Sequence, residues 1–347
     1  MTAPLTIALD VMGGDHGAPV VLAGAKLCLV RHPDTRYLLF GDEAIIREEL
    51  SRHNSLADKC DIIHTDIAIS MDAKPSQALR QGRWKSSMWK AIEAVRDGDA
   101  EAIISAGNTG ALMAMSRFCL KTLPEIERPA IAAIWPTISS ECIVLDVGAN
   151  VGAKARQLLD CSIMGAAMAK ALFSQERPTV GLLNIGVEEI KGLEEVRKAA
   201  AALRESDPPF EYQGFIEGDG IGKGIVDVVV TEGFSGNIAI KTAEGTAKQM
   251  AEYLKAAMNR TFMARAGAVL AQGAFRALKE KMDPRRANGG IFLGLNGIVI
   301  KSHGGTDATG FASAIDLGYD MARSGLVMSL AKDIEKFHAS LNMENIG

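Results

Sequence analysis

Six segments of this chain concentrate the side chains suited to chemistry on an anion. They are DVMGGDHG (Asp10 to Gly17), SAGNTGA (Ser105 to Ala111) and DVGAN (Asp146 to Asn150). NIGVEEIKG (Asn184 to Gly192), TEGFSGN (Thr231 to Asn237) and KSHGGTD (Lys301 to Asp307) complete the set. Each follows a short apolar run and precedes a helical pattern. Glycine there permits positive φ and lets backbone N–H groups come close to a ligand. Unpaired N–H groups at the next helix N-terminus favour negative charge. Such turns suit a phosphate-like anion, or an oxyanion developing on a carbonyl. Any one of them is also an ordinary strand-to-helix connection, and only their number favours a shared site.

Within these turns the residue types suggest roles. His16 and His303 suit proton transfer or hydrogen bonding to phosphate. Asn108 and Asn237 suit donation to an oxyanion or to phosphate. Lys191 and Lys301 suit neutralisation of phosphate charge, and Lys241, further into a helix, carries less weight. Gly13, Gly14, Asp15, Thr109, Gly110, Asn150, Asn184, Ser235, Gly236 and Gly304 are expected to line the phosphate or substrate. Asp10 and Asp146 are expected to stand behind them and orient cations, because a carboxylate facing phosphate would repel it.

Two nucleotide motifs fail on context. GDGIGKG (Gly218 to Gly224) has a dinucleotide-type composition, but a strand-like run follows it where a helix is needed. No G-x-x-x-x-G-K-[ST] occurs. The cysteines, Cys28, Cys60, Cys119, Cys142 and Cys161, are odd in number, isolated and set in apolar or helical segments. Neither a disulfide framework, a zinc site nor a thiol nucleophile is expected of them. No metal or cofactor is expected.

The elements that must position these turns read as alternating strand and helix. Strands are predicted at Leu5 to Val11, Tyr37 to Phe40, Cys60 to His64, Ala102 to Ser105 and Ala130 to Trp135. Further strands are predicted at Cys142 to Val147, Thr179 to Ile185, Val226 to Thr231 and Gly297 to Lys301. Continuous apolar runs mark strands covered on both faces. Helices are predicted at Val20 to Arg31, Ser87 to Arg96, Gly110 to Lys121, Leu158 to Phe173 and Leu193 to Glu205. This alternation predicts a three-layer α/β/α, Rossmann-like domain on a mostly parallel sheet, spanning residues 1–347. In such a sheet the six turns should gather at one rim, at the carboxyl ends of the strands.

Residues 238–286 break the alternation and read as a projecting helical hairpin, with Gly267 and Gly273 allowing a bend. Cations dominate this stretch, and Phe262, Met263, Val269 and Leu270 lie near its middle. Basic flanks with an apolar tip suit contact with an anionic membrane, an acidic carrier protein or a second copy of the chain.

Composition narrows the class. The 347 residues carry a net charge of −4 and only 5% aromatic residues, so nucleic-acid binding is not expected. The N-terminal segment lacks a secretory pattern, and no apolar run has the ~18–20 residues a membrane span needs. A cytoplasmic protein, peripherally membrane-associated, is expected.

Taken together the chain resembles the PlsX-type phosphate acyltransferases over nearly its whole length. The matching segments are ALDVMGGDHGAP, KPSQALR, SSMWKAI, SAGNTGALMA, DVGAN, VGLLNIG with IKG, DVVVTEGFSGNIAIKT and LGLNGIVIKSHGGTD. The resemblance implies transfer of a fatty acyl group from acyl carrier protein to inorganic phosphate. The acyl-phosphate product would feed a membrane glycerol-3-phosphate acyltransferase in phospholipid synthesis. It also implies an isopropylmalate dehydrogenase-like fold and a homodimer. The alternatives are a phosphotransacetylase acting on acyl-CoA, a nucleotide-dependent dehydrogenase, and a non-catalytic adaptor for acyl carrier or membrane.

Overall fold

The computed structural model describes residues 4–281 and 289–340. The strands are β1 (Thr6–Asp10), β2 (Arg36–Gly41), β3 (Cys60–His64), β4 (Ala102–Ser105), β5 (Ala130–Pro136) and β6 (Glu141–Leu145). They continue as β7 (Thr179–Leu183), β8 (Glu211–Ile216), β9 (Val228–Val230), β10 (Gly290–Leu293) and β11 (Ile298–Lys301). The first seven helices are α1 (Ala18–Arg31), α2 (Glu43–Leu50), α3 (Asn54–Ala57), α4 (Pro75–Gly82), α5 (Ser87–Asp97), α6 (Thr109–Leu120) and α7 (Ala155–Phe173). The rest are α8 (Glu194–Glu205), α9 (Gly218–Lys223), α10 (Gly233–Asn259), α11 (Phe262–Leu270), α12 (Gln272–Lys281), α13 (Ala308–Arg323) and α14 (Leu326–Ser340).

All eleven strands of the described residues join one sheet, in the order β3-β2-β1-β4-β11-β10-β5-β6-β9-β7-β8. The apolar runs form its centre: β4, β9 and the inner residues of β1 are buried on both faces, as helix-covered strands require. The α/β class and mostly parallel sheet expected from the alternation are what the chain forms. Two strands escape the sequence pattern. In β8, EYQGFI lacks a continuous apolar run, and Gly214 sits at φ +88° where the pairing with β7 shifts register. β10 is only four residues long. The Gly218 to Gly224 segment contains the short helix α9 before β9.

The expectation of one common rim is overturned. Strands β3, β2, β1, β4 and β11 run parallel to one another. Three successive antiparallel pairs follow, β11 with β10, β10 with β5, and β5 with β6. An odd number of reversals leaves β6, β9, β7 and β8 parallel among themselves but opposed to the first five. The turns after β1, β4 and β11 therefore lie at one edge, and those after β6, β7 and β9 at the other.

The helical stretch also differs in detail from expectation. It breaks at Arg260 and Thr261 and again at Ala271, whereas Gly267 and Gly273 lie inside α11 and α12. Residues 282–286 of the expected hairpin fall outside the described residues. Only Gly233 and Gly236 of α10, and no residue of α11, are buried. None of the described helices is long and apolar enough to cross a membrane.

Candidate active site

The turns after β1, β4 and β11 are built into one another. Gly14 adopts φ +83°, and a Cβ there would lie 2.8 Å from the Ala106 Cβ and 3.0 Å from the Gly304 carbonyl, so the close approach needs glycine. The Asp15 N–H donates to that Gly304 carbonyl at 3.0 Å. Gly13 packs as tightly against Gly107. His16 and His303 are exposed on this assembly, and Thr109 and Gly110 open α6 beside it.

Lys301 ends β11 at the meeting point. Its Nζ donates to the Ala106 carbonyl at 3.3 Å and also contacts the Ser302 carbonyl. Burial pulls its ammonium down to about 8, against the attraction of Asp10 and Asp15 and with help from Lys241. Asp10 is buried below it. The Ser87 hydroxyl donates to one carboxylate oxygen at 2.6 Å and the Ser105 hydroxyl to the other at 2.7 Å. Burial raises the Asp10 pKa, while the two hydroxyls and Lys301 oppose the rise. Burial, then Lys241 and Lys301, lowers the pKa of His303, which favours a neutral imidazole. Its Nδ1 accepts from the Gly305 N–H at 3.3 Å, which puts the neutral ring's proton on Nε2 and makes that nitrogen a donor.

Asn108 serves the framework. Its Oδ1 caps α6 by accepting from the Ala111 N–H at 2.9 Å, and its Nδ2 donates to the Ala73 carbonyl at 3.1 Å and to that of Met71. Ser87 and Ser105 were not legible as partners of Asp10. They lie 77 and 95 residues away from it, and only the sheet and the start of α5 bring the three together.

The turns at the opposite edge have a different economy. Asp146 accepts from the N–H groups of Ile131, Gly148, Ala149 and Asn150, at 2.8–3.2 Å, and from the Asn150 side chain at 2.9 Å. Glu232 accepts from the N–H groups of Gly152, Phe234 and Ser235 at the start of α10. Burial alone would raise its pKa, but these bonds outweigh burial and hold it below the usual carboxylate range. Gly236 packs on the Asp146 carbonyl, and Asn237 Nδ2 donates to the Val147 carbonyl at 3.2 Å. Asn184 Nδ2 bonds the carbonyls of Gly186 and Lys191 and so closes its own loop. Lys191 is exposed and ion-paired with Glu188 at 2.8 Å, which raises its pKa.

Helix α10 runs from this second edge toward the first. Asn237, in its first turns, touches the 147 turn, whereas Lys241, about one turn on, lies near enough to Lys301 and His303 to lower both pKa values. Thus Gly13, Gly14, Asp15, His16, Lys301, His303 and Gly304 share one surface with Lys241. Asn150, Asn184, Lys191, Ser235, Gly236 and Asn237 belong to the opposite edge.

Cysteine chemistry finds no setting here. Burial pushes the thiols of Cys28, Cys60 and Cys142 up to about 12, and raises Cys119 and Cys161 as well. Among the described residues the only grouping with metal-ligand spacing is Cys28, His32 and Asp316, and there Arg31 already holds Asp316 at 2.5 Å.

Residues 5–329 match the family model described as "Fatty acid synthesis protein". A phosphate acyltransferase of Xanthobacter autotrophicus is 64% identical over 334 residues, 96% of this chain and 94% of that relative. Among solved structures, the EutD phosphotransacetylase from Staphylococcus aureus superposes with a TM-score of 0.58 at 14% identity, covering 92% of this chain and 94% of the other. A phosphotransacetylase from Streptococcus pyogenes gives 0.57 at 18% identity, with 95% and 94% covered. At such identity these two show a shared fold. The length and identity of the sequence matches decide the family: the chain belongs to the fatty acid synthesis proteins, the PlsX-type phosphate acyltransferases, and is a transferase.

Proposed function

We propose that this chain transfers a fatty acyl group from acyl carrier protein to inorganic phosphate, giving acyl-phosphate for glycerol-3-phosphate acylation by a membrane enzyme. The observation that supports it is Lys301, a half-buried cation where three glycine-rich turns meet. A phosphate oxygen attacks the thioester carbonyl carbon. The tetrahedral adduct collapses, the C–S bond breaks, and the thiolate leaves and takes up a proton. Products are acyl-phosphate and the free carrier thiol, with no covalent enzyme intermediate. Lys301 offsets phosphate charge, and holding the two reactants together supplies much of the rate. His303, whose Nδ1 is engaged by the Gly305 N–H, offers Nε2–H to a phosphate oxygen, and the proton of monoanionic phosphate passes to the leaving thiolate.

Acyl-phosphate is trapped as a hydroxamate by hydroxylamine. Palmitoyl-carrier plus phosphate should give phosphate-dependent hydroxamate, and acetyl-CoA far less. No product from the carrier donor sinks this reading, and a preference for acetyl-CoA moves the chain to phosphotransacetylase chemistry.

The α10–α12 stretch supports peripheral membrane docking. Phe262, Met263, Val269 and Leu270 are 71–90% exposed beside Arg260 and Arg265. Along α10, exposed Met250, Tyr253 and Leu254 form the stripe expected of a helix that pairs with a second copy. A Phe262→Asp variant should float less with anionic liposomes than its parent, and equal flotation removes that residue from the contact.

A further inference from the structure

Residues 74–90, KPSQALRQGRWKSSMWK, contain five cations and no acid in a chain whose net charge is −4. The segment builds α4, the bend after it and the start of α5. Among the described residues none of Lys74, Arg80, Arg83, Lys85 and Lys90 has a carboxylate partner. Elsewhere on the surface cations are routinely paired, as Arg36 is with Asp61, Arg47 with Glu43 and Arg96 with Asp97. The charge on this face is left for something outside the molecule.

The face is also shaped. A groove of about 480 Å³ opens between Leu79, Arg80, Arg83, Trp84, Lys85 and Phe118. The Arg83 guanidinium lies 3.9 Å from the ring centroids of both Trp84 and Phe118, while its Nε is buried without a hydrogen-bond partner. Trp84 stands at φ +65°, a left-handed conformation that a bulky residue rarely adopts, and its side chain stays 60% exposed. Exposed tryptophan beside stacked arginine is the composition of a protein-binding centre. The same elements reach the reaction site: Ser87, the first residue of α5, bonds Asp10, and Asn108 holds the 71–73 backbone that leads into α4.

We propose that the groove formed by α4, the bend after it and α6 docks the acidic face of the acyl carrier protein, so that its thioester arm reaches past Asn108 toward Lys301. This rests on the carrier being the acyl donor. Charge complementarity selects that partner: a surface of unpaired cations steers an acidic protein and loses affinity with salt.

The test compares two donors on the full-length chain, acyl-carrier and an acyl-pantetheine with the same thioester but no protein. Arg80→Glu with Lys85→Glu should raise KM for acyl-carrier about tenfold or more, leave its kcat, and leave both constants for acyl-pantetheine unchanged. Trp84→Gly, which also suits the left-handed backbone, should raise the carrier KM in the same selective way. The pantetheine constants serve as the folding control. Unchanged carrier KM in both variants, or equal losses on both donors, overturns the docking site while the carrier reaction stands. A parent that takes acyl groups only from a coenzyme thioester and binds no carrier overturns both. Loss of binding to anionic vesicles with carrier KM intact assigns the face to lipid and overturns the proposal too.

Discussion

The two edges of the sheet carry turns of the same composition put to opposite uses. At the 146 and 231 turns, the carboxylates of Asp146 and Glu232 sit among backbone N–H groups, where an anionic ligand would have to go. At the 10, 105 and 301 turns, the carboxylate of Asp10 faces two serine hydroxyls instead, and a lysine occupies the junction. One edge has satisfied itself. The other has kept a half-buried lysine cation, held by two backbone carbonyls and without a carboxylate bonded to it, for a ligand to meet. Glycine, Asp and Asn in a turn therefore say that N–H groups are gathered, and the side chain that captures them decides whether a site remains.

The sharpest way to break the comparison is to remove one charge from each edge. Lys301→Met keeps the stem and deletes the ammonium. Phosphate-dependent hydroxamate formation should fall about 10²–10³-fold, the usual cost of losing one stabilising contact to a developing or transferred charge. Asp146→Ala takes the acceptor from four backbone donors in a part-buried turn, so urea unfolding should show a loss of about 2–3 kcal/mol. Its turnover per folded molecule should stay near the parent value. If the Asp146 variant loses as much turnover as the Lys301 variant while folded, the edges are not specialised as described.

Much of this was legible from the chain itself. Nine strands were visible because runs such as VVV in β9 and AIIS in β4 admit little else, although β3, at the sheet edge, is not buried as its apolar run suggested. Lys301, His303 and the 13–16 turn were legible because they sit directly after such runs. Strand polarity was not. A parallel sheet and a sheet with three central reversals produce the same local patterns, and the four-residue β10 that begins the reversal has no periodicity to read. Side-chain capture was equally hidden. Asn108 has the residue type of an oxyanion donor, yet its three bonds go to the framework. The partners of Asp10 depend on long-range contacts that no spacing encodes.

The smallest effect is also the most discriminating, because one titration pulls binding and stability in opposite directions. Lys301 carries its charge below about pH 8 in the folded chain, against ~10.4 for an unperturbed lysine. Phosphate affinity should therefore weaken as pH rises through about 8, by up to roughly tenfold per pH unit for a single required proton. Between about pH 8 and ~10.4 the unfolded chain holds a proton at this position that the folded chain has released. Through this group stability rises with pH over that window, since it rises wherever the unfolded state binds more protons. Phosphate KM and urea midpoint measured on the same samples separate the two effects. Lys301→Met should flatten both pH dependences. If the midpoint falls alongside phosphate affinity in the parent, and does so equally in the variant, the loss is unfolding elsewhere and Lys301 is not the titrating contact.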